Sequence, residues 1–446
     1  MSKPLPQPTR PAAERALLVG IELGSSEWPL RESLAELGRL AHTAGAEVVS
    51  TVTQQLSRPN PRTLIGSGKA EELARTARSL DADVVIFDDE LTPSQQGNLE
   101  RIIGRHTKVI DRTALILDIF GRHAKTHEGR LQVQLAQLQY LLPRLKGMWG
   151  HLVREQTRGG IGGRFGQGES QLEIDRRLVR DKISFLKREL AELDKRRAVQ
   201  SKARWDSGIF RVALVGYTNA GKSMLLNRLT GAGVYVRDEL FATLDPTTRT
   251  LELEAGRKIT VTDTVGFIQK LPTTLVESFN STLAEARAAD LILKVVDAAD
   301  PNREKQLVAV DEVLARIGAS GIPFVSVYNK CDLLDEASCS ALASSHPDAV
   351  LISALEGTGL QGLRYRIAQR AAQGDTTLTA LIPYREGFLQ RMVHERCQVI
   401  HEQYLPEGLL VTARAPTRVA VMLAPHLHES GPVDPQQVAP RLDASR

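Results

Sequence analysis

A phosphate-binding pattern stands near the middle of the 446-residue chain. It reads GxxxxGK[ST] and consists of Gly216, Tyr217, Thr218, Asn219, Ala220, Gly221, Lys222 and Ser223. An apolar run precedes it and an apolar-periodic segment follows, and this strand–loop–helix context makes the pattern specific for a P-loop. Backbone N–H groups of such a loop surround phosphates, Lys222 reaches the β- and γ-phosphates, and Ser223 ligates Mg²⁺.

A second segment would complete the metal and γ-phosphate contacts. Asp263 ends an apolar run and would support Mg²⁺, while the N–H of Gly266 would donate to the γ-phosphate. The predicted nucleotide-binding residues of this segment are Asp263, Thr264, Val265 and Gly266. Phe267 follows, where a water-orienting glutamine would serve hydrolysis, and a phenylalanine cannot position water by hydrogen bonding. We therefore expect slow intrinsic hydrolysis unless another group completes the site.

An upstream segment is a predicted order–disorder switch. It comprises Phe241, Ala242, Thr243, Leu244 and Asp245. The Thr243 hydroxyl would join the metal shell only when a γ-phosphate is present, with Thr247 and Thr248 as rival choices. The predicted metal ligands are thus Ser223, Thr243 and Asp263, and the predicted catalytic residues are Lys222, Thr243 and Gly266. A monovalent cation such as K⁺, held by Asn219, is a further hypothesis for this site.

Base preference is predicted from two later segments. The first is Asn329, Lys330, Cys331 and Asp332, and the second is Ser353, Ala354 and Leu355. A carboxylate at Asp332 would accept from N1–H and the 2-amino group of guanine, which adenine cannot offer, and a buried polar mismatch can cost several kcal/mol. Asn329 would tie this loop to the P-loop, and the backbone near Ala354 would donate to guanine O6. The order of all four motifs predicts a GTP-hydrolysing enzyme that binds GTP, GDP and Mg²⁺.

The elements that must position these residues predict an α/β multidomain chain. Its predicted parts are a disordered tail (1–13), an N-terminal α/β subdomain (14–125), an antiparallel helical hairpin with a glycine-rich loop (126–204), a P-loop G domain (205–373) and a small α+β C-terminal domain (374–446). In the last part we expect a helix near 386–403 and strands at GLLVTARA and RVAVMLA.

Leucines at heptad spacing predict the hairpin. The first seam is Leu131, Leu135, Leu138, Leu142 and Leu145, and the second is Val179, Ile183, Leu186, Leu190 and Leu193. Pro143 should end or kink the first helix. The second helix is expected over about Gln171–Arg197.

Charge and cysteine usage narrow the function classes. Residues 121–205 carry 19 Lys/Arg against 9 Asp/Glu, although the whole chain has a net charge of only +4. A local basic stretch is expected of a protein with a polyanionic partner, while a solvated helical face is the alternative. The three cysteines do not make a disulfide scaffold and favour a cytoplasmic location. No apolar run is long enough for a membrane span, and a monomer is the simplest expectation.

Several segments outside the nucleotide motifs carry a family resemblance. Together with the four motifs, Ser57–Leu73, Gly129–Leu145 and Gly159–Arg177 make the chain resemble HflX-type GTPases, a ribosome-associated group of translation-factor-related P-loop proteins. The resemblance implies GTP-dependent binding to the large (50S) subunit and separation of stalled or idle 70S ribosomes under stress. It also implies that the glycine-rich hairpin loop probes 23S rRNA.

The chain departs from that family at two places. Met224 replaces a usual threonine, so one hydroxyl contact to the α-phosphate is lost. In the hairpin loop, Gly163 and Phe165-Gly166-Gln167 replace the more usual threonine and Gly-Pro-Gly, which changes the predicted rRNA contact.

Two rival functions remain open from the sequence. One is an ATP-driven helicase or chaperone acting on rRNA. Ile65–Lys69 faintly resembles a phosphate loop that could bind a second nucleotide or an rRNA phosphate, and an ordinary helix start is the alternative. The other is a ribosome-silencing module that binds without cycling.

Overall fold

The computed structural model describes residues 13–24, 28–104, 106–145, 165–206, 209–231, 240–241, 243–253, 257–270 and 280–428. Contacts divide the chain into two units. The first comprises Met1–Leu193, Asp238–Asp245 and Lys270–Phe279, and the second comprises Asp194–Arg237, Pro246–Gln269 and Asn280–Arg446. Two short segments of the predicted 205–373 domain thus group with the N-terminal residues. The predicted tail and most of the glycine-rich loop lie outside the described residues.

The first unit begins with a parallel sheet covered by helices. Its elements are β1 (Glu14–Leu23), α1 (Leu30–Thr43), β2 (Ala46–Leu56), α2 (Ser67–Ser79), β3 (Val84–Phe87), α3 (Pro93–Ile103), β4 (Lys108–Asp111) and α4 (Arg112–His123). The strand order is β2-β1-β3-β4. The apolar run Ala16–Val19 in β1 is fully buried, as expected of a strand covered on both faces. This arrangement confirms the predicted N-terminal α/β fold.

Buried charges lie at the carboxyl end of this sheet. Asp88 directly follows β3, and Arg112 directly follows β4 and pairs with both Asp88, at 2.7 Å, and Glu36. Lys270 also contacts Asp88, at 2.6 Å. Burial raises the pKa of Asp88, but Arg112 and Lys270 outweigh it, so its pKa lies below the usual value. Charges this deeply buried are tolerated only because each has a partner.

Two helices follow in the chain, and the second of them belongs to the first unit only as far as Leu193. Helix α5 (His127–Leu141) ends before Pro143, as predicted, and α6 (Phe165–Asp206) is longer than the predicted Gln171–Arg197. Leu186 packs with Leu131 and Leu135 in one apolar cluster. The partly buried side chains of that cluster are Leu138, Ile183, Leu190 and Leu193. Seven of the ten predicted heptad positions therefore form the contact that their spacing predicts, and Leu142, Leu145 and Val179 are not part of this cluster.

The faint phosphate-loop resemblance at Gly66–Lys69 is a helix start. The Gly66 N–H donates to Gln54 Oε1 at 2.9 Å, and Lys69 pairs with Glu72 at 3.0 Å. The Gly66 N–H and the Lys69 ammonium group, which a phosphate loop would offer to a phosphate, are thus both engaged in local contacts.

The second unit holds a larger sheet. Its elements are β5 (Arg211–Gly216), α7 (Lys222–Thr230), β6 (Thr247–Glu252), β7 (Lys258–Asp263), α8 (Asn280–Arg287), β8 (Leu291–Asp297), α9 (Arg303–Arg316), β9 (Phe324–Asn329), α10 (Glu336–Ser345), β10 (Val350–Leu351) and α11 (Leu360–Ala371). The strand order is β10-β9-β8-β5-β7-β6, and only β6 pairs antiparallel. The carboxyl ends of the parallel strands therefore share one edge, where ligands bind in open α/β sheets.

A three-stranded antiparallel sheet follows in the same unit. It consists of β11 (Thr376–Ile382), β12 (Gln398–Leu405) and β13 (Gly408–Ala415), in the order β11-β13-β12, with helices α12 (Gly387–Arg396) and α13 (Thr417–Leu423). This confirms the predicted small α+β region, and the structure adds strand β11, which was not predicted.

Two element assignments in this region were wrong. The predicted helix over 386–403 ends at Arg396, and β12 follows because its residues pair with β13. The predicted strand RVAVMLA is helix α13. Val419 and Leu423 are buried while Val421 is 68% exposed, which is the period of a helix. β-branched residues suggested a strand, and packing of one helical face overrides that preference.

Among the helices that the structure describes, none combines the length and apolar character that a bilayer crossing requires.

Candidate nucleotide-binding site

The P-loop connects β5 to α7 at the carboxyl edge of the second sheet. Gly221 adopts a left-handed conformation, with φ of 89°, and a Cβ there would collide with the Asn329 amide. Asn219 is also left-handed, with φ of 62°, and is exposed. The turn therefore needs Gly221, and it presents Asn219 to solvent at the start of a helix, where backbone N–H groups favour anions.

Lys222 is buried at the first position of α7. Its Nζ donates to the carbonyl oxygens of Gly216, at 3.0 Å, and Tyr217, at 2.8 Å. Burial lowers the pKa of Lys222 to about 8, although Asp263 acts in the opposite direction. The ammonium group therefore lies inside the loop that is predicted to surround the phosphates.

Ser223 and Asp263 form the predicted metal-binding pair in the second unit. Ser223 Oγ donates to Asp263 Oδ2 at 2.6 Å. Hydroxyl and carboxylate oxygens are the donors that Mg²⁺ prefers, and Mg²⁺ takes few protein ligands when phosphates supply the others. The residues present thus fit this ion. Within the described ranges, no group of three or more His, Cys, Asp or Glu side chains could hold a metal by itself.

The residues after Asp263 lie against the P-loop. Thr264 Oγ1 donates to the Leu214 carbonyl at 2.7 Å, and Val265 is buried. Phe267 forms a parallel bridge with Tyr217, so Gly266 lies directly beside the loop. The structure therefore places the predicted γ-phosphate sensor next to the predicted phosphate ligands.

The predicted guanine loop is joined to the P-loop through one side chain. Asn329 Nδ2 donates to the Ala220 carbonyl at 2.9 Å, and Asn329 Oδ1 accepts from the Ala354 N–H at 2.9 Å. Ser353 Oγ donates to Asp332 Oδ1 at 2.5 Å. The Ser353 bond anchors one carboxylate oxygen of Asp332, and the predicted guanine contact would use the other.

Lys330 and Cys331 occupy the middle of this loop. Lys330 is left-handed, with φ of 66°, and its ammonium pairs with Asp297 at 2.7 Å. Burial raises the pKa of the Cys331 thiol to about 11, and nearby Cys339 adds to this effect. A thiol with so high a pKa is a poor nucleophile at neutral pH, so Cys331 acts here as packing.

Arg228 is a site residue that sequence reasoning missed. Its Nε donates to the Ala354 carbonyl at 3.0 Å, and its Nη2 donates to the Leu355 carbonyl. It therefore fixes the predicted O6-binding turn from helix α7. An arginine inside a helix gives no sequence signal for such a contact, because the two segments meet only in the fold.

The predicted switch around Thr243 lies in the first unit. Phe241 and Leu244 are buried, and Phe241 makes an edge-on ring contact with Phe120 at 4.6 Å. Asp245 accepts from the backbone N–H groups of Lys125, at 3.0 Å, and Thr126, at 2.9 Å. Thr243 is half-buried, and Ala242 lies outside the described residues. The metal role of Thr243 stays a prediction.

A P-loop at the end of a parallel strand, with an Asn-Lys-x-Asp loop at the same sheet edge, defines a P-loop GTPase. Three family profiles match the chain: "GTP-binding GTPase N-terminal" at residues 31–121, "GTP-binding GTPase Middle Region" at 123–204 and "50S ribosome-binding GTPase" at 211–330.

Relatives give the particular family. The chain is 46% identical to GTPase HflX of Caldanaerobacter subterraneus over 400 residues, covering 90% of each protein. It is 42% identical to GTPase HflX of Escherichia coli, covering 89% of this chain and 92% of that protein. The chain therefore belongs to the HflX GTPase family. A GTP-binding protein from Sulfolobus solfataricus, solved with GDP, is 26% identical with a TM-score of 0.43, covering 81% of this chain and 99% of that one.

Proposed function

We propose that this GTPase binds the large ribosomal subunit in its GTP form and separates stalled or idle 70S ribosomes into subunits under stress. The observation that carries the proposal is the match of residues 211–330 to the profile described as a 50S ribosome-binding GTPase. Under this proposal the protein is a soluble, cytoplasmic monomer that is bound to ribosomes for part of the time.

The charge of helix α6 supports an RNA partner. Its exposed basic side chains include Arg177, Arg180, Lys182, Lys187, Arg188, Lys195 and Arg196. Its Leu186 side packs on α5, and its exposed side carries these cations together with fewer exposed carboxylates such as Glu173 and Glu192. Such a surface binds phosphates with a strong dependence on salt. We assign 23S rRNA as its target, with the glycine-rich loop as the contacting tip.

The nucleotide cycle would use the residues described above. Ser223 and Asp263, joined by Thr243 when a γ-phosphate is present, would hold Mg²⁺, which neutralises phosphate charge. Lys222 would contact the β- and γ-phosphates, and Gly266 would donate its N–H to the γ-phosphate. Asp332 would select guanine. Asn219, exposed at the loop, would offer its side-chain oxygen to K⁺.

Hydrolysis would depend on the ribosome. Phe267 is buried and has no group that could orient water. A group from the ribosome would therefore complete the site, so that hydrolysis and release follow binding. The difference in ribosome affinity between the GTP and GDP forms supplies the coupling free energy.

Sucrose-gradient sedimentation of 70S ribosomes tests the proposal. We expect the 70S peak to convert to subunits with GTP or a non-hydrolysable GTP analogue, and to stay intact with GDP. Asp332→Asn is the matched control, because it removes the guanine contact: it should fail with GTP and recover with xanthosine triphosphate. An unchanged 70S peak with every nucleotide contradicts splitting. Equal ribosome occupancy with GDP and the analogue favours the silencing module, and splitting driven by ATP favours the helicase.

A further inference from the structure

The segment after Asp263 is bonded to the P-loop through its backbone. The Phe267 N–H donates to the Gly216 carbonyl at 3.1 Å, and the Phe267 carbonyl accepts from the Thr218 N–H at 2.7 Å. Farther along, the Gln269 N–H donates to the hydroxyl of Tyr217 at 2.6 Å. Gly266 to Gln269 are all buried. We name Gly266–Gln269, held in this way, the latch.

The latch lies over the lysine of the P-loop. A Cβ on Gly266 would stand 2.9 Å from Thr218 Cα and 3.1 Å from Lys222 Nζ, so backbone occupies the space beside the ammonium group. Lys222 is itself only 6% exposed, and two carbonyl groups of the loop accept its protons. A γ-phosphate that contacts Lys222 therefore needs the latch to move away from Thr218.

Two buried side-chain atoms mark this packing as incomplete. Thr218 Oγ1 and Gln269 Oε1 are buried and have no hydrogen-bond partner among the described residues. Buried polar atoms without partners raise the free energy of the conformation that contains them. These two unpaired atoms thus lower the free-energy cost of opening the closed latch.

We infer that Tyr217 is a positioning residue whose hydroxyl keeps the latch closed and thereby slows the entry of nucleoside triphosphates relative to diphosphates. The inference rests on the proposed contact of Lys222 with the γ-phosphate. GDP has no γ-phosphate, and its β-phosphate would contact Lys222 from within the P-loop, so GDP can bind while the latch stays in place. GTP must break the Phe267 and Gln269 bonds first.

Stopped-flow binding of fluorescent GDP and of a fluorescent non-hydrolysable GTP analogue tests the inference in the full chain. Tyr217→Phe keeps the ring but removes the acceptor of the Gln269 N–H. We expect the analogue to associate about three- to tenfold faster, as expected for one lost hydrogen bond, with GDP association changed less than about twofold. Tyr365→Phe, at a tyrosine that is 63% exposed on α11, is the matched control and should change neither rate.

Unchanged analogue association in Tyr217→Phe overturns the inference. Equal acceleration of GDP and the analogue also overturns it, because Tyr217 would then shape the whole loop. The assay contains no ribosomes, so its failure is distinct from failure of ribosome splitting. Circular dichroism of the variant at the parent's amplitude establishes that the rates come from folded protein.

Discussion

Lys222 shows how burial changes the chemistry of one residue. Its ammonium lies in a loop of carbonyl groups, and burial brings its pKa to about 8. An ordinary lysine keeps its proton to about pH 10.4. Between these values the folded chain holds a neutral lysine, whereas the unfolded chain holds a charged one. Phosphates stabilise the charged form of Lys222, so nucleotide binding at alkaline pH must be accompanied by protonation of its amine.

We therefore predict proton uptake when GTP binds at alkaline pH. At pH 9 binding should take up about one proton, because the lysine is mostly neutral before and charged after, and at pH 7 it should take up almost none. Affinity should fall as pH rises above about 8. Calorimetry in buffers of different ionisation enthalpy measures the uptake. Lys222→Arg, which stays charged, should take up about one proton fewer than the parent at pH 9, and identical results for both chains would contradict the assignment.

At this scale the sequence predicted which residues of the second unit lie together at one edge of the sheet, and their roles toward a nucleotide stay predictions. Glycines, Lys222, Asp263 and Asn329 are recognisable because each follows a strand at fixed spacing, and parallel strands bring their carboxyl ends to one edge. Arg228 and the Tyr217 hydroxyl were not predictable. Their partners are backbone groups of distant segments, and a backbone group has no sequence signature.

Among the elements, helix α6 depends on a narrow line of contacts. Leu186 is fully buried against α5, whereas Leu178 on the same helix is 61% exposed. Heptad spacing predicted this difference, because only the seam positions face the partner helix. The longer extent of α6 was not predicted, since no proline marks its ends.

Leu186→Ala should loosen the two helices. Removing a buried leucine costs about 2 kcal/mol or more through lost contacts and the cavity that remains. Leu178→Ala is the matched control and should stay within about 0.5 kcal/mol of the parent. Hydrogen exchange of the α5 amides measures the local opening free energy, which is safer than global unfolding for a chain of two units. Equal exchange in the two variants would show that the seam does not hold the helices together.

The small C-terminal sheet shows where element prediction fails. RVAVMLA contains β-branched residues at alternate positions, which favours a strand. In the fold, Val419 and Leu423 face one core and Val421 faces solvent, which only a helix allows. Strand propensity is a property of each residue alone. The choice between helix and strand depended instead on the core against which one face of this segment packs.

For the whole molecule, the grouping of residues 238–245 with the first unit is the main departure from the predicted layout. The sequence places this segment between two parts of the G domain, so continuity predicted that it would pack there. Its burial beside Phe120, and the bonds of Asp245 to Lys125 and Thr126, arise from tertiary contacts that no spacing rule contains.

A chain that lacks residues 1–193 should therefore expose apolar surface. Leu240, Phe241 and Leu244 are buried in the full chain and would lose the residues of the first unit that cover them. We expect the truncated chain to bind more of the dye ANS than the full chain, since ANS reports exposed apolar surface. Phe241→Ser with Leu244→Ser should lower that signal in the truncated chain. Equal dye binding by full and truncated chains would contradict the expected exposure.

The side-chain amide of Asn329 affects how the pocket binds its ligand. Asn329 bonds the carbonyl of Ala220 and the N–H of Ala354 at once, and Gly221 leaves room for it. The P-loop, which would bind the phosphates, and the Asn329–Asp332 loop, which would bind the purine, are thus aligned before a nucleotide binds. The conformational freedom that two unconnected loops would lose on binding is lost already when the protein folds, so the P-loop and the guanine loop are in register before a nucleotide binds.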